Sequence, residues 1–388
     1  MGYNYLSLDY GGLSVFYSLV YPETRQYFNG YLKKNIRDDN SEYIEGTTLH
    51  LQITPEYMEE NRWLVEEEEE SMPFLEFQSL MLTTGNALLP YHRALFHGVS
   101  FIWKGLAWIL TAPSGTGKTT QLKHWYRLFK DEIEVINGDK PLLECREDGS
   151  VWVYSSPWRG KERIGFPGRS GKLGGIILLE QANDNQMIPM KPEEAVYPLF
   201  SEFVSYPETC YQIRYQGLIL ERILDAVPVW KLRNLGDEAS VRMTRATLDQ
   251  YLADYSSPFS ERMAGYPSID KNGRKEYNKT VSSDSKESLR RPHPGIELLE
   301  IKDNYLLVAD KEARKTCHYI TRLNEMGALI WRCLQAGMGL EEILSEIGKV
   351  YDIPDRNEVK EDVAAFLRKL EKEGYLLAAS TDKQEKSI

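Results

Sequence analysis

The segment Ala112-Pro113-Ser114-Gly115-Thr116-Gly117-Lys118-Thr119-Thr120 directly follows the apolar stretch Leu106-Ala107-Trp108-Ile109-Leu110. A strand that runs into a glycine-containing turn and then a helix restricts the chain to an α/β arrangement with a phosphate-binding loop. Gly115 and Gly117 permit positive φ and close backbone approach, so successive N–H groups can converge on one anion. The helix expected over residues 119–129 adds its N-terminal dipole. Lys118 supplies a mobile cation for β- and γ-phosphates, and the Thr119 hydroxyl suits Mg²⁺. Ser114, Gly115, Thr116, Gly117, Lys118, Thr119 and Thr120 are therefore the expected contacts to ATP. Ala112 stands where the motif has glycine, a position that needs little volume rather than a special dihedral.

A chain of 388 residues exceeds one comfortable core, so two or three domains are expected. Its 42% apolar content and eight tryptophans suit well-packed units. A net charge of −11 argues against a nucleic-acid partner, because phosphate backbones are held by clustered Lys and Arg. Cys145, Cys210, Cys317 and Cys333 form no C-x-x-C pair, which argues against zinc and against a disulfide scaffold and fits a reducing cytoplasm. The N-terminus has no basic region leading into an apolar core, and no apolar run reaches about 18 residues. Neither secretion nor a membrane partner is expected.

Along the chain, residues 1–90 read as a β-rich N-terminal segment, with polar turns such as Asp38-Asp39-Asn40-Ser41 and a solvated acidic run at 66–70. Helical spacing is expected over 74–93. Strands are expected at 100–103, 106–110, 133–136, 151–154 and 174–179, and helices at 193–204 and 241–252. These make a nucleotide-binding core of residues 91–255. Residues 256–293 are rich in Ser, Lys, Asn, Arg, Pro and Gly and read as a polar linker. Three strands follow, at 296–301, 305–309 and 316–321. Helix-spaced apolar positions then take over, through Trp331, Ile343 and Leu367, within a unit of residues 294–380.

Two further features surround the phosphate loop. Phe96-His97-Gly98-Val99 precedes it, and Val135-Ile136-Asn137-Gly138-Asp139 ends a later strand with a carboxylate, where a Mg²⁺-ligating acid belongs. In Ser155-Ser156-Pro157-Trp158-Arg159-Gly160-Lys161-Glu162, Arg159 and Lys161 flank a glycine. Such a loop can clamp phosphoryl oxygens with Glu162 near the metal; the alternative is an exposed basic turn anchored by Trp158.

His97-Gly98-Val99, Gly105, Leu110 and Ser114 to Thr119 resemble the HPr kinase/phosphorylase family and its relative, ATP-dependent phosphoenolpyruvate carboxykinase. The resemblance spans residues 74–252, with its specific motifs confined to 96–162. It implies an α/β (α+β) P-loop kinase core in which His97 assists chemistry, Lys118 binds phosphates, and Thr119 and Asp139 hold Mg²⁺. The family carries two adjacent aspartates at the strand end, one of them the base, whereas this chain has Gly138-Asp139-Lys140. Either Asp139 is the metal ligand and the usual base is missing, or Asp139 is the base and Lys140 replaces the ligand; the first reading is preferred.

The last unit resembles PqqD, through Leu323-Asn324 before Gly327, Trp331, Leu340-Glu341-Glu342-Ile343, Asp362-Val363, Phe366-Leu367 and Gly374-Tyr375-Leu376-Leu377. That resemblance implies a small winged-helix-like domain of three strands and three helices that recognises the leader of a ribosomally made precursor peptide. The physical route is strand addition at an exposed edge, with 316–321 as the receiving strand and the helix of 363–370 beside it. A module that merely mediates self-association is the alternative.

Joined, the two resemblances imply an ATP- and Mg²⁺-dependent kinase acting on a Ser or Thr hydroxyl of a precursor peptide, with His97, Asp139 and Lys161 at the chemistry. Metal contacts would come from Thr119, Asp139 and Glu162. Other readings are a kinase for a carrier protein or metabolite, and a nucleotide-binding scaffold that presents peptide to other modifying enzymes.

Overall fold

The computed structural model describes residues 5–32, 49–65, 71–254, 290–352 and 355–377. The turn at 38–41, the acidic run at 66–70 and most of the expected linker lie outside the described residues. The molecule is of mixed α/β type and divides into two compact units. One comprises Met1–Tyr206 and Tyr215–Glu261, the other Pro207–Arg214 and Arg262–Ile388.

The first unit opens with a hairpin of β1 (Tyr5–Tyr10) and β2 (Leu13–Ser18), to which β3 (Leu49–Gln52) adds in parallel. Thr54 caps α1 (Pro55–Glu60), and Ser71 caps α2 (Met72–Leu88) by accepting from the Phe74 N–H at 3.3 Å. Helical spacing predicted to residue 93 stops at Leu88, because Pro90 cannot donate to a further turn. Buried on α2, the Glu76 carboxylate accepts from the Val20 and Tyr21 N–H groups and the Thr24 hydroxyl at 2.5–3.0 Å. Burial nevertheless pushes its carboxyl above the usual range, the three hydrogen bonds opposing the shift.

The large sheet contains β4 (Arg93–Leu95), β5 (Val99–Trp103), β6 (Leu106–Thr111), β7 (Ile133–Asn137), β8 (Leu142–Cys145), β9 (Val151–Tyr154) and β10 (Ser170–Gln181), with β11 (Gln186–Met190) and β12 (Val229–Asn234). Its path is β4-β8-β9-β10-β6-β5-β7, with β12 on β10 and β11 on β12. The parallel trio β6, β10 and β12 forms the middle. Helix α3 (Lys118–Phe129) leaves the end of β6, and α4 (Pro192–Phe200), α5 (Cys210–Ala226) and α6 (Glu238–Asp254) follow. Trp103, Trp108 and Trp125 are fully buried in one cluster with Val99, Leu110, Leu122 and Ile177. These apolar runs lie in the middle of the sheet, where a parallel strand is covered on both faces.

Trp158 is buried against Phe28 and Phe77, and its indole N–H donates to the Phe77 carbonyl at 3.0 Å. It pins the 155–162 segment to the core that β1, β2 and α2 share. Trp158→Ala is expected to cost about 3–5 kcal/mol, read as a lower denaturant midpoint at unchanged slope. A loss below about 1 kcal/mol would show that the segment is held by its main chain alone.

In the second unit, β14 (Ile296–Ile301), β15 (Asn304–Ala309) and β16 (Ile320–Leu323) form an antiparallel sheet in that order. Helices α7 (Glu325–Gln335), α8 (Leu340–Val350) and α9 (Arg356–Lys372) follow, while short strands β13 (Arg291–Pro292) and β17 (Leu376–Leu377) pair with each other. Trp331, Ile343, Leu344, Val363, Leu367 and Tyr375 fill its core.

The third strand lies later than the expected 316–321. The Asp310 carboxylate accepts from the N–H groups of Glu312 and Ala313 and starts a tight 3-10 turn at Ala313–Lys315. Thr316 and Cys317 are then spent on that turn, both N–H groups donating to the Ala313 carbonyl.

Candidate functional site

The loop of residues 112–117 leaves the buried end of β6 and turns through Gly115 (φ 81°) and Gly117 (φ 107°), both left-handed, with open space where a Cβ would stand. Gly117 is the N-cap of α3, and no side chain caps that helix end. Its first-turn N–H groups are therefore left for an anion. Thr116 closes the loop locally, its hydroxyl donating to the Pro113 carbonyl at 2.8 Å. Ser114 and Thr120 are exposed, and Thr119 is half-buried on the first turn of α3.

Lys118 is buried, and its ammonium donates to the carbonyls of Ala112 (2.7 Å) and Pro113 (3.2 Å). Burial lowers its pKa from the usual lysine value, and Lys140 lowers it further, while Glu202 and Asp139 oppose the shift. Those same groups surround His97. Its Nδ1 lies 2.8 Å from Glu202 Oε2 and its Nε2 lies 3.6 Å from Asp139 Oδ1. The His97 N–H donates to the Glu202 carbonyl at 2.7 Å, and the His97 carbonyl accepts from the Thr111 hydroxyl at 2.7 Å.

A carboxylate can only accept, so Nδ1 carries the proton toward Glu202 and Nε2 keeps its lone pair. Burial pulls His97 below the ordinary imidazole value; the Glu202 bond acts the other way, the Lys140 and Lys118 charges lower it again, and Asp139 raises it. The net direction favours the neutral imidazole.

Asn137 builds the turn that presents Asp139. From its buried place at the end of β7, its side-chain oxygen accepts from the N–H groups of Asp139 and Lys140, both at 2.8 Å. Its amide group donates to the Ser156 carbonyl (3.0 Å) and hydroxyl (3.2 Å). At Gly138 a Cβ would lie 2.9 Å from the Ile164 carbonyl oxygen and Cβ, so a second carboxylate beside Asp139 has no room without a shift of that segment. Lys140 Nζ stands 2.9 Å from Asp139 Oδ1.

The structure thus gathers His97, Lys118 and Asp139, and adds Glu202 and Lys140. Glu162 is not among them: its carboxylate accepts from Lys123 Nζ on α3 at 2.7 Å, at an exposed position. Lys161 is exposed in the Gly160–Arg163 turn beside it. Glu202 carries no local motif; it lies 105 residues from His97 and meets it through a Phe96–Phe203 bridge.

Thr119 and Asp139 offer the hard oxygen donors that Mg²⁺ takes. Among the described residues no group of three or more His, Cys, Asp or Glu side chains is placed to hold a metal ion. Burial pushes the Cys145 thiol up to about 12 and the Cys210 and Cys317 thiols up to about 11. No described helix is long and apolar enough to cross a membrane.

In the second unit, β16 is an edge strand of its sheet. A cavity of about 600 Å³ lies at its end, lined by Asp303, Tyr305, Arg322, Leu323, Asn324 and Glu325. Val363, Leu367 and Leu370 of α9 face the domain core, and Phe366 is partly buried against it.

Residues 313–376 match the family described as Coenzyme PQQ synthesis protein D (PqqD), which identifies a PqqD domain at the C-terminal end. No curated protein matches the chain. Among solved structures, TbiB1 in complex with the TbiA(beta) leader peptide is 24% identical, with a TM-score of 0.20, over 24% of this chain and 99% of that one. Lasso peptide synthetase B1 complexed with the leader peptide is 21% identical, TM-score 0.20, over 23% of this chain and 98% of that one. The Hpr(Ser) kinase/phosphatase from Coxiella burnetii is 12% identical, TM-score 0.23, over 42% of this chain and 96% of that one.

Proposed function

We propose that this protein transfers the γ-phosphoryl group of ATP to a Ser or Thr hydroxyl of a ribosomally synthesised precursor peptide, whose leader the PqqD domain holds. The observation that carries the transfer reading is the convergence of His97, Lys118, Asp139 and Glu202 beside an uncapped helix N-terminus. The peptide reading is supported by the PqqD match over residues 313–376.

In this reading the loop N–H groups and Lys118 bind the triphosphate, and Thr119 and Asp139 hold Mg²⁺. When bound, the ion neutralises charge on the phosphate oxygens. His97, neutral and fixed in one tautomer by Glu202, orients the acceptor hydroxyl and takes its proton on Nε2. The acceptor oxygen forms the new P–O bond as the bond to the ADP oxygen breaks. The leader adds to the open edge of β16, where Tyr305, Arg322 and Leu323 line a cavity able to receive a side chain. One covalent chain carries both sites, which raises the local concentration of the acceptor.

Incubation with ATP, Mg²⁺ and a precursor peptide, followed by intact mass, tests the proposal: the peptide gains one phosphate. The crowding at Gly138 favours a second reading, a nucleotide-binding scaffold without transfer. Tight ATP binding with no mass gain would establish it. Glu202→Gln keeps the size but loses the charge that favours Nδ1–H, so phosphopeptide formation should fall about 10²–10⁴-fold. ATP affinity should stay within about threefold. An undiminished rate would remove Glu202 from the site.

A further inference from the structure

We infer that Lys140 is a second phosphoryl-binding cation of this site, a role that rests on the transfer reading above. Three hydrogen bonds fix its backbone: its N–H donates to Asn137 Oδ1 (2.8 Å) and the Trp158 carbonyl (3.1 Å), and its carbonyl accepts from the Ser156 hydroxyl at 2.5 Å. So anchored, its side chain is only 16% exposed, and its ammonium lies 2.9 Å from Asp139 Oδ1. Asp139 Oδ1 is also the atom that faces His97 Nε2, at 3.6 Å. The charge of Lys140 is felt at both His97 and Lys118.

The like charges of Lys118 and Lys140 repel each other, and an anion arriving between them relieves that repulsion. Lys140 has Asp139 as its partner. When Asp139 turns to a divalent ion, Lys140 loses that partner, and the nearest unpaired negative charge is on the phosphoryl group under transfer. On the other side of Asp139, Gly138 has no room for a carboxylate without a shift of the Ile164 segment. The function of Lys140 is to offset charge on the phosphoryl oxygens, with no proton lost or gained.

Single-turnover transfer, ATP affinity and Mg²⁺ dependence, measured on the full chain for wild type, Lys140→Met and Lys140→Arg, test this. Lys140→Met should lower the transfer rate about 10²–10³-fold with ATP affinity changed less than about tenfold, and Lys140→Arg should recover most of the rate. A Lys140→Met rate within about threefold of wild type, or a lower Mg²⁺ requirement at unchanged rate, would make Lys140 only a counter-ion of Asp139 and overturn the assignment. Equal loss in both variants, with a reduced melting temperature, would overturn it in favour of a structural role. If the wild type binds ATP and makes no phosphopeptide, the transfer reading itself fails.

Discussion

Lys118→Met will abolish most nucleotide binding and leave leader binding untouched. The Lys118 ammonium is held by the Ala112 and Pro113 carbonyls. Methionine matches its apolar stem, so the loss reports the charge rather than a cavity. Removing one preorganised donor from a charged site of this kind lowers turnover about 10²–10³-fold, and ATP affinity should fall by a comparable factor. Calorimetric titration with ATP and fluorescence anisotropy with labelled leader peptide measure the two sides. The two sites belong to different compact units, so leader affinity should change less than about twofold. Equal loss of both would contradict independent sites.

The second large effect concerns the leader. A precursor stripped of its leader should be phosphorylated about 10²–10⁴-fold less efficiently than the intact peptide, at unchanged Michaelis constant for ATP. Deleting 294–388 should produce a drop of the same size on the intact precursor, and no further drop on the stripped one. A stripped peptide that is modified as fast as the full precursor would favour an acceptor recognised by the nucleotide unit alone, such as a metabolite or carrier.

Local chemistry made part of this site legible in the sequence. The glycine turn, Lys118 and the α3 start lie within one short segment, and the strand, loop and helix form where the pattern places them. His97 and Asp139 were signalled by their order around that segment. Glu202 could not be, because its partner lies 105 residues away and its own neighbours are ordinary helix-end residues. Helix α5 and strands β8, β11 and β12 also escaped the periodicity reading; in α5 the run Leu218-Ile219-Leu220 interrupts a simple one-sided stripe. The late start of β16 had a visible cause in Asp310, whose short carboxylate competes for backbone N–H groups.

The Asn137-Gly138 turn also bears on how the protein ages. An asparagine followed by glycine loses its amide when the next backbone nitrogen swings round to attack the side-chain carbon. Here that nitrogen donates to the Ile164 carbonyl at 2.9 Å, while the asparagine oxygen is clamped by two other N–H groups. Folding therefore shields the pair from loss of its amide, and conversion at this turn should become appreciable only on incubation near the melting point. The product carries a carboxylate in a fully enclosed pocket facing the Ser156 carbonyl, and the loop it once organised cannot re-form around it.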